Sequence, residues 1–434
     1  MLHRIGVEVL RFFPGSHSKE DGSWKLLNAL RFDRFLHQVT LICFCVLFFI
    51  LPIAHTETVR AFALGIPGGI WIFRMVGYRQ WPSSRPFIDL PILLFTAISI
   101  VSIFTAVDWR YSLDEFQGEW IMGVFALYLA MNTIRVEWVK PLLGALLLSN
   151  LVMVGFGIFG FFAAGGSLWD YQVRAGSLHS GYGTFSTYLV TMLPYLLWGF
   201  YAQRERKGYG WLLGILIGLN LFALFLTHAR GAWFSAIALF TITGWMRMKR
   251  RVFLLPIGIG LLLLFFWVPE SLIKHYTPIK SKSIPETKIE TGHTRWELIK
   301  FSLKEIKENP FQMIGFGQGS FVKKYREFSL KYDGAQLWHA HNTFLNIALQ
   351  TGIQGLIIFC FLIYRLLKYF YTGYKRSEGQ LEKFYLGATF LMITTFFIRN
   401  LSDDFFVDDS ALLFWLLVGM GFVLKQDDMA KNIH

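Results

Sequence analysis

Charged side chains are scarce in this sequence. They account for 16% of the 434 residues, whereas hydrophobic residues account for 54%. A soluble globular domain carries about 25% charged residues. The shortage excludes an ordinary soluble domain and directs attention to the long apolar runs.

Cysteine is also rare, and one common nucleotide-binding motif is missing. The three cysteines, Cys43, Cys45 and Cys360, all lie inside apolar runs. The long polar segment 270–340 contains none, so no disulfide bond cross-links it.

The sequence has no Gly-x-x-x-x-Gly-Lys-Ser/Thr motif, which excludes a P-loop site for ATP.

Long apolar runs are abundant. About 20 apolar residues are needed for an α-helix to cross a bilayer, and such runs lie near 36–54, 59–77, 87–106, 118–134, 141–163, 184–202, 209–227, 231–246, 252–269, 341–364, 383–400 and 408–424. The second is the weakest, because Arg60, Arg74 and the Gly/Pro-rich residues 65–69 interrupt it. We predict an all-α polytopic membrane protein with about twelve transmembrane helices. No cleavable signal peptide is expected, because the first 35 residues are polar and basic.

Basic residues are concentrated in alternate loops, which predicts the orientation. By the positive-inside rule, the loops richest in Arg and Lys are cytoplasmic. The prediction divides the chain into a cytoplasmic segment 1–35, nine membrane helices in 36–269, a large periplasmic loop 270–340, three membrane helices in 341–424 and a cytoplasmic tail 425–434. Topology and anionic membrane lipids account for the net charge of +13, so no nucleic-acid partner is predicted.

The large external loop has helical periodicity of its own. Residues 295–308 place Trp296, Ile299, Leu303 and Ile306 at steps of three and four, which predicts an amphipathic helix ended by Asn309-Pro310. Such a helix could lie in the membrane interface or close over the bundle.

A second helix is predicted after a glycine-rich turn. Ser320 is placed to cap it, and its aromatic side would carry Phe321, Tyr325, Phe328 and Tyr332. Glycines at positions 315, 317 and 319 precede it, and they suit either an anion-binding nest or a plain flexible turn.

His341-Asn342 stands where the polar loop meets an apolar helix. Helical spacing places Gly352 and Gly355 on the face of His341, which predicts a flat strip for close approach of another helix. The histidine is either a capping residue or a base, since the positive end of a helix disfavours a protonated imidazole. A metal site with His339 is not predicted, because no carboxylate or cysteine with ligand spacing accompanies the pair.

Three arginines are predicted on the same side of the membrane as His341. They are Arg174, Arg230 and Arg295. Each is either a solvated or snorkelling side chain or a phosphate ligand, because the guanidinium fork grips phosphate oxygens bidentately. With a histidine on that side, they could form a site for a phosphorylated lipid.

These motifs together resemble the bacterial O-antigen ligase family. The resemblance is carried by His341-Asn342 with Gly352 and Gly355, by Arg230 in Ala-Arg-Gly-Ala-Trp, and by the loop run Arg295-Trp296, Asn309-Pro310 and Gly315-Phe316-Gly317. The stretch from Arg174 to Pro194 is similar more loosely. The motifs cover roughly 170–425, and Ala229 departs from the serine that is common in the family.

The resemblance implies a glycosyltransferase of the bacterial inner membrane with a periplasmic site. It would move O-antigen glycan from undecaprenyl diphosphate to lipid A–core oligosaccharide, without a metal or other cofactor. The implied roles are His341 as the base, Arg230 and Arg295 as diphosphate ligands, and a set of substrate-binding residues comprising Arg174, Asn342, Gly315, Gly317 and Trp338.

Other functions stay open from the sequence. An O-antigen polymerase and a protein O-oligosaccharyltransferase share the fold and these motifs. A lipid or glycan transporter is a different class, and twelve spans with both termini cytoplasmic suit one. Against a transporter, the spans show no repeat of two six-span halves, and the titratable groups gather at one face instead of the bilayer midplane.

Overall fold

A computed structural model describes residues 19–77, 85–168, 173–179, 181–203, 207–247, 291–330 and 339–424. These ranges contain helices and no β-strand. The predicted all-α class is therefore confirmed. The predicted span 252–269 and the terminal segments 1–18 and 425–434 lie outside the described residues.

The helices follow the predicted runs closely. In chain order they are α1 Lys19–Ile50, α2 Glu57–Gly77, α3 Pro86–Phe104, α4 Trp109–Glu115, a π-helix Phe116–Ile121, α5 Met122–Thr133, a 3-10 turn Val136–Trp138, α6 Val139–Ala163, α7 Tyr182–Gln203, α8 Lys207–Leu226, α9 Arg230–Arg247, α10 Thr291–Glu308, α11 Ser320–Lys324, α12 Arg326–Leu330, α13 Thr343–Arg376, α14 Gln380–Arg399 and α15 Asp408–Val423.

Seven helices in the described ranges are long and apolar enough to cross a membrane. They are Arg31–Ile50, Glu57–Gly77, Phe87–Phe104, Val136–Ala163, Gly208–Leu226, Thr343–Arg376 and Gln380–Arg399. The protein is thus a multi-pass membrane protein. The total of twelve stays a prediction, as do the orientation and the domain boundaries built on it.

Close helix packing surrounds α14, which contacts α7, α9 and α13, while α15 packs along α5. Glycine permits the closest approaches. A side chain at Gly387 would meet the Trp198 ring at 2.7 Å, and one at Gly419 would meet the Leu127 carbonyl oxygen at 2.8 Å. Small residues at crossings let apolar helices pack tightly where no water drives them together.

Helix α13 is broken at Gly352, which corrects the sequence prediction. Gly352 has φ 73° and ψ 175°, outside the helical region, in a conformation that essentially only glycine adopts. The predicted continuous face from His341 through Gly352 to Gly355 therefore does not exist. Gly352 divides a short segment near the loop from the long apolar helix.

The polar segment 270–340 contains α10 as predicted, with an earlier start at Thr291 and an end just before Asn309-Pro310. The second helix differs from the prediction. It is split into α11 and α12, and Gly319 occupies its N-cap. The Ser320 hydroxyl instead donates to the Phe316 carbonyl at 3.0 Å, so the capping prediction is wrong.

Candidate functional site

The site centres on the short connection between α14 and α15, at residues 399–404. Asp403 in this connection lies beside two of the predicted catalytic residues. Its Oδ1 atom is 2.8 Å from His341 Nδ1, and its Oδ2 atom accepts a hydrogen bond from Arg295 at 3.2 Å. One carboxylate thus joins the start of α13 to the first turns of α10. We call the end of the bundle that carries it the site end.

The turn before α13 sets the position of the His341 side chain. His341 has a left-handed backbone conformation, with φ 49°, which is uncommon for a residue other than glycine. Asn342 then caps α13, because its side-chain oxygen accepts from the Leu345 amide at 3.1 Å. Its side-chain nitrogen donates to the Leu401 carbonyl at 2.9 Å. The predicted site residue Asn342 therefore holds the turn against the 399–404 connection.

A second carboxylate, Asp404, holds the same turn from beneath. It accepts from the Thr343 hydroxyl at 2.6 Å and from the Asn346 amide. The Asn346 oxygen in turn accepts from the Ala340 backbone at 2.7 Å. Buried polar groups that are all paired specify one arrangement of the backbone. The network explains how the left-handed conformation at His341 is maintained.

Charge is unevenly distributed over this cluster. Burial alone would raise the pKa of Asp403, but the hydrogen bond from His341 and the positive charges of Arg295 and Arg399 outweigh it and hold the pKa well below the usual range. Burial lowers the pKa of His339 to about 4, with a further contribution from His341. At neutral pH the cluster combines an ionised Asp403 with a neutral His339.

Arg295 reaches the connection with two donors. Besides the ion pair with Asp403, it donates to the Ser402 carbonyl at 3.2 Å. Its side chain is still 35% exposed. A guanidinium has five N–H donors, so Arg295 keeps donors for an anion in the space above the connection.

Arg230 lies at the start of α9, next to the same connection. A side chain at Gly231 would collide with Ser402 and would come within 3.1 Å of an Arg399 nitrogen. Glycine is therefore required where α9 meets the connection. Arg230 itself is exposed. The three predicted catalytic residues are consequently brought to one end of the bundle, around residues 399–404.

Arg174 also lies at the site end, where it contacts the first residue of α7. Its guanidinium stacks over the Tyr182 ring at 4.5 Å, at the first residue of α7. A side chain on the following residue, Gly183, would meet the Phe405 ring at 2.6 Å. Arg174 is thus linked to the connection through α7, and the structure gives it no direct contact with His341.

The loop glycines Gly315 and Gly317 are packing residues in this structure. Both have positive φ, 101° and 99°. A side chain at Gly315 would collide with Ala106 and come within 2.5 Å of the Ser112 hydroxyl, and one at Gly317 would meet Glu115 at 2.6 Å. Glycine is required here because the loop lies flat on α4. The predicted Trp338 lies outside the described residues.

A small pocket opens to solvent beside the connection. Its polar lining comes from Glu119, Gln318, Thr343, Gln350 and Asp404, and its aromatic walls are Phe95, Trp120, Phe316, Phe359, Phe406 and Trp415. Gln318 donates to the Asp404 carbonyl at 3.0 Å, which fixes the loop at the rim. The π-helix Phe116–Ile121 supplies Glu119, and π-helical turns are frequent at functional sites.

The folded chain places a carboxylate beside His339 and His341, which the sequence spacing did not indicate. His339, His341 and Asp403 offer ligand atoms that all lie within 4.8 Å of one another. The carboxylate is 62 residues from His341 in sequence, so ligand spacing could not reveal it. Asp403 is already paired with the Arg295 guanidinium, whose positive charge opposes a second cation in this position.

The connection at residues 399–404 was not among the predicted site residues. Two adjacent carboxylates, Asp403 and Asp404, shortly after an apolar helix are the signal that could have drawn attention to it. Asn400, Ser402, Asp403 and Asp404 all bond to predicted site residues or to their turn. Pairings across 57 to 108 residues carry no local sequence signal.

The fold and this cluster define a multi-pass membrane protein with an ionisable site at one end of its helices. A family model described as O-antigen ligase matches residues 213–360. A protein of Rickettsia felis (strain ATCC VR-1525 / URRWXCal2), named "Putative polysaccharide ligase", is 26% identical over 137 residues. That match covers 30% of this chain and 32% of the relative, so it spans about a third of the relative's length.

The matched segment contains Arg230, Arg295 and His341. It confirms the resemblance to the O-antigen ligase family that the motifs indicate. The description of the family model and the name of this relative both denote a ligase.

Proposed function

We propose that this protein transfers a glycan from a polyprenyl diphosphate to an acceptor hydroxyl at the site end of the bundle. The pairing of His341 with Asp403 beside Arg295 is the observation that carries the proposal. The specific reaction proposed is transfer of O-antigen glycan from undecaprenyl diphosphate to lipid A–core oligosaccharide, on the periplasmic side of the bacterial inner membrane.

His341 acts as the general base. An ionised carboxylate only accepts hydrogen bonds, so its contact with Nδ1 places the ring proton there and leaves Nε2 free to accept. The Nε2 atom takes the proton of the acceptor hydroxyl as the oxygen attacks the anomeric carbon. Asp403 keeps the ring oriented and stabilises the imidazolium that forms, as a carboxylate does in other histidine–carboxylate pairs.

The arginines stabilise the leaving group. The bond between the anomeric carbon and the diphosphate oxygen breaks as the new glycosidic bond forms, and the polyprenyl diphosphate departs with an additional negative charge. Arg295 and Arg230 are placed beside the connection to bind that charge. The displacement inverts the anomeric configuration. In this proposal the charge on the leaving group is stabilised by the two arginines.

The aromatic and acidic pocket supports a glycan substrate. Rings and carboxylates in one cleft suit a sugar, whose C–H faces pack on apolar surface and whose hydroxyls need acceptors. The pocket shares Thr343 and Asp404 with the turn that holds His341. We therefore propose that the polar groups of this pocket bind a hydroxyl of the substrate glycan.

A transfer assay tests the proposal and its alternatives. Purified wild type and His341→Ala receive the glycan-diphosphate lipid, with lipid A–core in one reaction and only further donor in another. Product on lipid A–core that the variant loses by roughly 10²–10⁴-fold supports the ligase. Longer lipid-linked chains alone would indicate a polymerase. Equal product from both proteins would remove His341 as the base.

A further inference from the structure

Helix α10 has two unlike faces. One is buried against the loop and α13, where Leu298 and Ser302 are fully enclosed. The other leaves Trp296 and Leu303 more than half exposed, at 56% and 52%. Two large apolar side chains turned outward on a helix that already has a buried face require a partner for that outer face.

The outward face is basic as well as apolar. At about 100° per residue, Trp296, Leu303, Lys300 and Lys307 fall within an arc of roughly 60°, with Lys304 beside it. The Lys300 ammonium lies 5.4 Å from the Trp296 ring and 2.8 Å from Glu297. Lysines that flank an aromatic and a leucine are typical of helices in the headgroup region, because their apolar stems lie on hydrocarbon while the ammonium reaches the phosphates.

Both ends of α10 are tied to the ends of membrane helices. Near its start, Arg295 bonds to residues 402–403, a few positions beyond the end of α14. Just past its other end, the Met313 carbonyl accepts from the Thr105 hydroxyl at 3.1 Å, directly after α3 ends. The helix axis therefore runs along the membrane boundary, over about 27 Å for its 18 residues.

Exposed aromatic side chains flank the contact between Met313 and Thr105 in the sequence. Phe311 is 73% exposed, shortly after the end of α10. Phe104, the last residue of the membrane helix α3, is 84% exposed, and Trp109 follows at 55%. Aromatic residues concentrate at membrane–water interfaces. The segment after α10 therefore meets the end of a membrane helix where exposed aromatic residues are concentrated.

We propose that the outward face of α10 is a docking surface for anionic phospholipid, with Lys300, Lys304 and Lys307 binding headgroup phosphates. Trp296 and Leu303 enter the interface beside them. Because Arg295 belongs to the same helix, the lipid contact also holds Arg295 beside Asp403. This last consequence depends on the proposed function, whereas the docking surface does not.

The depth of Leu303 tests the surface directly. Leu303→Cys is prepared with Cys43, Cys45 and Cys360 changed to serine, given a nitroxide label, and placed in nanodiscs of phosphatidylcholine with phosphatidylglycerol. Glu327→Cys, exposed on α12, is the matched control. We expect collisions with oxygen to dominate at position 303 and collisions with a water-soluble nickel complex to dominate at 327. Equal nickel access at both positions would overturn the proposal.

The lysines are tested by lipid preference. Lys300, Lys304 and Lys307 are changed together to glutamine, and the control changes the same three residues to arginine, which keeps the positive charge. Native mass spectrometry of each purified protein compares retention of phosphatidylglycerol with that of phosphatidylcholine. Each lysine near a headgroup should contribute about fivefold in affinity, so the glutamine variant should lose most of the preference and the arginine variant should keep it. Equal preference in both triple variants would overturn the assignment. Neither measurement contains a glycan donor or a lipid A acceptor, so the result is independent of transfer activity and of phosphates from those substrates.

Discussion

The two arginine-bearing regions beside residues 399–404 are built differently. Arg295 is held by the Ser402 carbonyl and the Asp403 carboxylate, whereas Arg230 is exposed at the start of α9. The backbone beneath Arg230 is nonetheless packed tightly, because Gly231 touches Ser402. The difference indicates two tasks. Arg295 belongs to the preorganised set of contacts around His341. Arg230 has a tightly packed backbone, but its exposed side chain can reach a ligand.

Removing the charge of Asp403 should reduce transfer more than any other single change proposed below. Asp403→Asn keeps the size of the side chain but loses the charge that orients His341 and pairs with Arg295. We expect a loss of roughly 10²–10⁴-fold in turnover, comparable to removal of the base. The measurement is kcat and KM for transfer, with thermal unfolding to establish that the protein is folded. A folded variant with unchanged turnover would contradict the role of Asp403.

Two substitutions of Arg230 distinguish the effect of its charge from the effect of its hydrogen-bonding geometry. Arg230→Ala should lower turnover about 10²–10³-fold, since one donor to a developing negative charge contributes on that scale. Arg230→Lys should recover part of this loss, because lysine restores the charge without the bidentate fork. Thermal stability should change little for an exposed side chain. If both variants transferred glycan at the wild-type rate, Arg230 would not bind the diphosphate.

The break in α13 predicts an effect on stability. Gly352→Ala places a side chain in a conformation with φ 73° and ψ 175° and close to the Gln354 amide. The strain should lower the free energy of unfolding by about 1–3 kcal/mol. Chemical denaturation in detergent measures it, and Gly218→Ala in α8, where a side chain meets nothing within 4 Å, is the control. A destabilisation no larger than that of the control would show that the break tolerates a side chain.

A loss of stability at low pH is expected from His339. Burial lowers its pKa to about 4, while the unfolded chain protonates it near 6.5. The stability it contributes is complete above about pH 6.5 and is lost as the pH falls from there toward 4. His339→Gln, which stays neutral, should lose less thermal stability across this interval than the wild type. Parallel melting curves for both proteins would contradict the assignment.

Local patterns in the sequence were sufficient for much of the architecture. Apolar runs of membrane length predicted the helices, and the periodicity of residues 295–308 predicted α10, because both depend on neighbours in the chain. Proline after Asn309 predicted its end for the same reason. The break at Gly352 escaped this reasoning, since a lone glycine in an apolar helix can mark either a close approach or a break.

Composition and apolar runs were enough to predict an all-α membrane protein, and the motifs pointed to His341, Arg230 and Arg295 as site residues. Only the folded chain shows that residues 399–404 bring them together, that Asp403 contacts two of them, and that Gly315 and Gly317 pack against α4. These contacts join residues that are far apart along the chain. A carboxylate 62 residues from its histidine has no spacing rule that links them, and only the packing of α13 against α14 sets their distance.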